Sequence, residues 1–262
     1  MTTITQITNY VSQLTGHSIN RDEGVHHGTI DDPVNGVTVC WMATPDALRF
    51  AGEQGHSLII GHESLYYPYD VVNREDPPKG WQEWPTNRQR RELLDAHNLT
   101  FLRLHGSVDE ICILDDFAEQ IGMDEPIHNE GYVKIYEVDP ISVDALVAQV
   151  KEKLGMDGVR VAPAAGMPEN VRRIGLPWGG MALFVNVNYQ QKLIEQGVDL
   201  LIAGETDNYG FRFAQELGIP MIETSHEISE NKGIRHFAQM LGAKFADTDF
   251  VFYENECVWE MR

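Results

Sequence analysis

Cysteines are scarce in this sequence, and their scarcity excludes two classes of protein. The 262 residues include only three cysteines. They are Cys40, Cys112 and Cys257, which lie far apart and show no CxxC spacing. An odd number of scattered cysteines favours neither a disulfide framework nor a zinc-thiolate site. We therefore expect a cytoplasmic protein, in a reducing environment.

Positive charge is the second shortage. Twenty basic residues face forty acidic residues, which gives a formal net charge of −20. Such a charge repels the phosphates of nucleic acids unless a local basic patch or bound cations intervene. The densest basic run, residues 88–91, is typical of a solvated helix face. We expect no nucleic-acid partner.

Long apolar runs are also missing. No stretch approaches the roughly 18 apolar residues that a membrane span needs. The N-terminus has no basic segment followed by an apolar one. We expect a soluble protein without a membrane partner. Its length of 262 residues nevertheless allows a substantial core, in one large domain or two smaller ones.

Apolar runs alternate with helical patterns, which predicts an α/β protein. An amphipathic helix comes first, followed by the predicted strands GVTVCWMA, SLIIGHES and LTFLRLHG. Helices are predicted over TPDALRFAGEQG, from about Thr86 to His97, and over DDFAEQIG. This βαβαβα order is typical of parallel strands covered by helices. Between the first helix and the first strand, GVHHGTIDD is predicted to be a surface loop containing His26 and His27.

The second half repeats the pattern. A helix is predicted over DPISVDALVAQVKEKLG, with Pro140 near its start and Gly155 after its end. The predicted strands are YVKIYEVD, VRVAP, MALFVN, VDLLIAGE, PMIET and DFVFYEN. We expect two similar, interleaved α/β domains with mixed, largely parallel sheets, over residues 1–126 and 127–262. The C-terminal helix and strand are candidates to return to the first domain.

Three of the predicted strands are each followed by a histidine and a carboxylate. The pairs are His62 with Glu63, His105 with Asp109, and His226 with Glu230. Open α/β sheets gather ligand-binding and catalytic groups at the carboxyl ends of their strands. One such pair would mean little, but three pairs in equivalent positions indicate a site.

The run SHEISE also has a simpler interpretation. Acidic residues stabilise the first turn of a helix by interacting with the positive end of its dipole. Glu227 and Glu230 fit that role, and His226 could then be a polar cap. The sequence around this run does not decide between helix-start residues and a binding site.

Imidazoles and carboxylates without thiolates are typical ligands of borderline-to-hard divalent metals. The candidate ligands are His62, Glu63, Asp109, His226 and Glu230. These are more ligands than one tetrahedral ion needs, so two divalent ions fit better. Two ions roughly 3.5–4 Å apart would lower the pKa of a bridging water and produce a hydroxide nucleophile.

The order of these motifs resembles the NIF3 family, also called the dinuclear metal centre or GTP cyclohydrolase I type 2 family. The family's HHP, HTxxD and GHxxxE motifs are similar to residues 62–64, 105–109 and 225–230 here. Its KxxLG and aDxxxTGE elements resemble residues 151–155 and 198–205. The resemblance implies two similar α/β domains with two metal ions between them, the five ligands above, and a homo-oligomer, often a hexamer.

This sequence departs from the family pattern at several positions. Glu63 stands where the family usually has a second histidine, which makes the predicted site harder and favours Mn, Fe or Mg over Zn. Gly106 and Ser107 replace a Thr-Asn pair, and histidine is common in the family where TDNYG follows Glu205. These departures affect the expected contacts with substrate.

His105 and Glu227 are the candidate catalytic residues. His105 could be a general acid, an outer-shell donor to a carboxylate or a buried structural histidine. Glu227, like Glu205, could relay protons or have a structural role. The predicted function is hydrolysis of a purine nucleotide ring, of the GTP cyclohydrolase type, or of a phosphoester. The alternative is a metal-binding regulatory or scaffold protein. No GxxxxGK[ST] phosphate loop is present.

Overall fold

The computed structural model describes residues 2–164, 166 and 169–262. The chain divides into two compact units. Unit 1 consists of residues 1–112 and 233–255, and unit 2 consists of residues 113–232 and 256–262. The sequence-based boundary between residues 126 and 127 therefore lies within unit 2. The units are interleaved along the chain, since unit 1 takes both an N-terminal and a C-terminal segment.

Unit 1 is built on one five-stranded sheet with helices around it. Its helices are α1 (Ile4–Thr15), α2 (Pro45–Glu53), α3 (Pro85–His97) and α4 (Gly106–Val108). Its strands are β1 (Gly24–His27), β2 (Val37–Cys40), β3 (Leu58–Gly61), β4 (Thr100–Arg103) and β11 (Phe250–Tyr253). The order is β1-β4-β3-β2-β11. All pairs are parallel except β1 with β4.

The interior strands of unit 1 have every residue buried. This is expected of parallel strands that are covered on both faces, and it explains their continuous apolar sequences. Helix α2 begins as predicted, with Pro45 as its first residue and the Thr44 side chain accepting a hydrogen bond from the amide of Ala47. β11 adds to the sheet beside β2, so the C-terminal strand belongs to unit 1.

Unit 2 is built on a six-stranded mixed sheet. Its helices are α5 (Leu114–Gln120), α6 (Val143–Leu154), α7 (Val187–Glu195) and α8 (Asn208–Glu216). Its strands are β5 (His128–Glu130), β6 (Val133–Ile141), β7 (Arg160–Ala162), β8 (Val171–Gly175), β9 (Leu200–Ala203) and β10 (Met221–Glu223). The order is β5-β6-β8-β9-β10-β7, and β8, β9 and β10 are parallel.

Two helical segments run across the division of the chain. A π-helical turn over Asp109–Ile113 connects α4 to α5. The long helix α9 (His226–Lys244) begins in unit 2 and ends in unit 1. Among the described residues, no helix combines the length and the apolar character needed to cross a bilayer.

Three local expectations were wrong. MALFVN is not a strand, because the backbone follows successive turns that end in a 3-10 helix over Phe184–Asn186. Phe184 and Val185 are 54% and 79% exposed, so this apolar run does not form a buried strand. Helix α6 starts after the cap residue Ser142, and Pro140 lies in β6.

The third error concerns GVHHGTIDD, which was expected to be a surface loop. Its first four residues form strand β1. This half-buried edge strand pairs antiparallel with β4 and carries His26 and His27. β8, with the sequence VRRIG, was not predicted either. Both strands contain charged or imidazole side chains at half-buried positions, which hides them from an analysis based on apolar runs.

Candidate metal centre

In unit 1, the register of two parallel strands brings candidate ligands together. Gly61 at the end of β3 pairs with Arg103 at the end of β4. The chain after β3 continues into His62 and Glu63, and the chain after β4 reaches His105 two residues later. Because both strands end at the same edge of the sheet, these side chains emerge beside each other.

Ligand atoms of His62, Glu63 and His105 all lie within 4.8 Å of one another, a group that could hold a metal ion. His62 and Glu63 are buried, at 2% and 5% exposure. The Nε2 atom of His62 lies 3.8 Å from Oδ1 of Asp109. The structure thus brings together all four residues that the sequence predicted in this unit, and it places His105 in the ligand group.

Asp109 is positioned by the helical segment that follows β4. Its amide donates a hydrogen bond of 3.2 Å to the carbonyl of His105, and the π-helical turn begins at Asp109 itself. Such turns are rare and occur frequently at functional sites, because the extra residue changes the direction of the side chains. The four-residue spacing between His105 and Asp109 therefore places both on the same turn.

The His105 ring is held by a carboxylate that the sequence analysis missed. Nδ1 of His105 lies 2.9 Å from Oδ2 of Asp22. Burial lowers the pKa of His105, but the hydrogen bond to Asp22 and the charges of Asp109 and Glu63 outweigh it and raise the pKa to about 9. The same hydrogen bond lowers the pKa of Asp22 to about 2. Asp22 is therefore ionised, and Nδ1 donates to it.

Glu23 holds the backbone of the same segment. This buried carboxylate accepts hydrogen bonds from the amides of His105, at 2.7 Å, and Ser107, at 2.9 Å. It also accepts one from the Ser107 hydroxyl, at 2.6 Å. Ser107 stands where the family pattern has a different residue, and here its side chain completes this contact. No local signal in the sequence connects residues 22–23 with residues 105–107.

Arg103 lies fully buried behind Asp22. Its Nη1 atom is 3.1 Å from Oδ2 of Asp22, the oxygen that also binds His105. Its Nη2 atom donates to the hydroxyl of Tyr69 at 2.8 Å. A buried guanidinium requires charged and hydrogen-bonded partners. Arg103 and Asp22 satisfy each other, so the Asp22 carboxylate stays in place beside His105.

In unit 2, two parallel strands end together in the same manner. Ala203 at the end of β9 pairs with Glu223 at the end of β10. Glu205 follows β9, and His226 follows β10 as the first residue of α9. Nδ1 of His226 lies 3.0 Å from Oε2 of Glu205. Because an ionised carboxylate only accepts hydrogen bonds, Nδ1–H of His226 donates this bond to Glu205. Nε2 is then the nitrogen that could ligate a metal.

Glu230 stands one helical turn after His226, as the spacing predicted. Its Oε1 atom lies 3.4 Å from Nε2 of His226, and Glu230 is buried, at 2% exposure. Two ligands about 2.1 Å from one ion and about 100° apart are separated by about 3.2 Å. The pair therefore has the spacing of two ligands of one ion.

Glu227 has a different environment. Its side chain is buried, and Oε1 accepts a hydrogen bond of 2.7 Å from the amide of Val258. This contact attaches the C-terminal segment of unit 2 to the first turn of α9. The predicted catalytic role of Glu227 stays a prediction, while a structural role is visible in this hydrogen bond.

The loop over residues 177–180 was not singled out by the sequence analysis. It follows β8 and contains the pair Gly179 and Gly180. An added Cβ at Gly179 would collide with Oε1 of Glu230, and one at Gly180 would lie 3.2 Å from Cε1 of His226. The backbone of this loop therefore packs directly against the ligand pair. The adjacent glycines were the available signal.

The donor atoms of both groups fit divalent metal ions. Nitrogen comes from imidazole and oxygen from carboxylates, and none of the three cysteines belongs to either group. This set suits Mn, Fe or Mg, and it suits Zn as well. Each unit thus holds buried or half-buried imidazole and carboxylate side chains, which are candidate ligands, at the carboxyl ends of adjacent parallel strands.

The chain is similar in sequence to known proteins. The chain is 25% identical over 224 residues to a GTP cyclohydrolase 1 type 2 homolog of Neisseria meningitidis, a match that covers 81% of each chain. It is 22% identical over 212 residues to the GTP cyclohydrolase 1 type 2 of Helicobacter pylori, covering 80% of this chain and 78% of that relative.

The fold is that of a solved relative. The crystal structure of a Bacillus cereus protein related to NIF3 superposes with a TM-score of 0.78 at 13% identity, covering 100% of this chain and 99% of the other. The model of the family Duf34/NIF3 (NGG1p interacting factor 3) matches residues 1–257. Because that match extends over nearly the whole sequence, the chain belongs to the Duf34/NIF3 family.

Proposed function

We propose that this protein is a dinuclear metal-dependent hydrolase. The observation that carries the proposal is one arrangement that occurs in both units. Two adjacent parallel strands end together, and imidazole and carboxylate side chains follow them. The proposed ligands are His62, Glu63, Asp109, His226 and Glu230. The resemblance of their motifs to those of the family supports their use in one centre of two ions.

Two bound ions would supply an activated water as the nucleophile and would polarise an oxygen of the substrate. The protein's own contribution centres on His105. Asp22 holds Nδ1 of this imidazole, so Nε2 is the atom that remains for proton transfer. The hydrogen bond to the Asp22 carboxylate stabilises the protonated ring. His105 is therefore suited to donate a proton to a leaving group as a general acid.

The proposed substrates are a purine nucleotide ring, of the GTP cyclohydrolase type, or a phosphoester. The name of the Helicobacter pylori relative supports the first substrate. A specific observation favours a second function, that of a metal-binding regulatory or scaffold protein. The net charge of −20 repels a nucleotide triphosphate, and the sequence contains no phosphate-binding loop motif. Assembly as a homo-oligomer, often a hexamer in the family, and the cytoplasmic location stay predictions.

The test combines metal analysis with turnover. Freshly purified protein is expected to contain about two ions per chain. After loading with Mn²⁺, the wild type should hydrolyse GTP or bis(p-nitrophenyl) phosphate. Glu230→Gln and Asp109→Asn should each lose metal and turnover, while Glu216→Gln, an exposed glutamate in the same unit as Glu230, should lose neither.

Three outcomes decide between the two functions or exclude both. Turnover that survives both ligand substitutions contradicts the hydrolase. Bound metal without turnover of either compound favours the regulatory or scaffold protein. A wild-type chain that binds no divalent metal contradicts both.

A further inference from the structure

The loop over residues 177–180 is attached to the elements that carry the unit 2 ligands. The amide of Gly204 donates to the carbonyl of Pro177 at 3.1 Å, and the amide of Glu205 donates to the carbonyl of Gly179 at 2.7 Å. The amide of Gly179 donates to the hydroxyl of Ser229, in α9, at 3.0 Å. Hydrogen bonds on both sides therefore fix the position of the Gly179 backbone.

No side chain fits at position 179. The backbone has a φ of +50°, which favours glycine. An added Cβ would overlap Oε1 of Glu230 and would lie 3.0 Å from its Cδ and 3.1 Å from Nε2 of His226. The space that a side chain would need is thus the space that the Glu230 carboxylate occupies beside His226.

We propose that Gly179 is a positioning residue for the metal ligand Glu230, an inference that rests on the proposed function. The bare backbone of Gly179 lets the carboxylate lie with Oε1 3.4 Å from Nε2 of His226, the spacing of two ligands of one ion. Any side chain at this position displaces the carboxylate and separates the two ligands.

A side chain at position 179 is expected to move the Glu230 carboxylate and not the loop backbone. The loop backbone is held by three hydrogen bonds, whereas the Glu230 carboxylate is the far end of a flexible side chain. A Cβ at position 179 therefore moves the ligand at small cost to the fold. The remaining cost is that of a non-glycine residue at positive φ, about 1 kcal/mol.

Gly218 provides a matched control for that backbone cost. It lies in the same unit with a φ of +79°, and nothing lies within 4 Å of a Cβ added there. Gly218→Ala introduces a similar backbone strain without touching a ligand. The difference between the two variants therefore isolates the contact with Glu230.

The experiment measures Mn²⁺ binding to metal-free protein by electron paramagnetic resonance of the free ion. Gly179→Ala is expected to weaken binding about 10- to 100-fold at one site, as substitutions that misorient a ligand do. Glu230→Gln should show a similar loss, and Gly218→Ala should bind as the wild type does. Circular dichroism and thermal melts of all variants check that they are folded.

Wild-type affinity in folded Gly179→Ala overturns the inference and leaves the proposed function intact. Absence of Mn²⁺ binding by the wild type overturns both. If Gly179→Ala does not fold, the double variant Gly179→Ala/Glu230→Ala decides, because the atom nearest to an added Cβ is Oε1 of Glu230. Removal of that carboxylate should restore folding, and a double variant that stays unfolded contradicts the inference.

Discussion

His105 is held at two points by two consecutive acidic residues that do different things. Glu23 binds its amide and Asp22 binds its ring. The first contact fixes the backbone, and the second orients the ring by accepting a hydrogen bond from Nδ1. An aspartate paired with histidine also stabilises the protonated ring, so the charge of Asp22 can be tested apart from its geometry.

Asp22→Asn tests that charge. The amide oxygen can still accept from Arg103 and from Nδ1 of His105, but the negative charge is gone. We expect the pKa of His105 in the metal-free protein to fall from about 9 by about one pH unit or more. NMR titration of the His105 ring measures this pKa. The control is Asp95→Asn, because Asp95 lies beside a different histidine, His27. An unchanged pKa would show that Asp22 contributes geometry alone.

His26 is expected to make stability depend on pH. Burial, with a smaller contribution from the charge of Arg103, lowers the pKa of this ring from 6.5 to about 4. The folded protein therefore keeps His26 neutral, while the unfolded chain binds a proton below pH 6.5. The stabilisation is fully present above that pH and is lost as the pH falls towards 4.

Replacement of His26 by glutamine removes this titration. We expect the free energy of unfolding of the wild type to fall by about 3 kcal/mol more than that of His26→Gln between pH 7 and pH 4. Urea denaturation of the metal-free proteins at several pH values measures the difference. Parallel curves for the two proteins would rule out this assignment.

At the scale of elements, the strands that present ligands could be predicted because they are short apolar runs. Every residue of β3, β4, β9 and β10 is buried, as expected of parallel strands that are covered by helices. The contacts of Asp22 with His105 and of Gly179 with Glu230 could not be predicted. Each contact joins residues that are far apart in the chain. The distance between their atoms depends on the strand register of the sheet and on the path of the loops.

The start of α6 shows how a local signal can mislead. Pro140 looks like a first-turn proline, but Ser142 caps the helix by accepting from the amide of Ala145 at 3.2 Å. We expect Ser142→Ala to lower the free energy of unfolding by about 1 kcal/mol. Ser142→Thr keeps the cap oxygen and should recover most of that loss. Equal stability of all three proteins in urea would show that the cap contributes nothing.

At the scale of the whole molecule, acidic residues outnumber basic ones two to one. Such an excess destabilises the compact state by self-repulsion, and it attracts divalent cations from solution. Burial of the Glu63 and Glu230 carboxylates adds a second cost, that of removing charged groups from water. Bound ions would relieve both costs in the folded state only, so metal binding and folding should be coupled.

Metal removal should therefore lower the melting temperature. An ion present at about 100 times its dissociation constant stabilises a folded protein by about 2.7 kcal/mol. For a chain of this size, that corresponds to about 5–10 °C. Thermal melts with Mn²⁺ and with EDTA measure the difference, which should shrink in Glu230→Gln and persist in Glu216→Gln. Identical melts with and without metal would mean that the buried carboxylates find their positive charge within the protein itself.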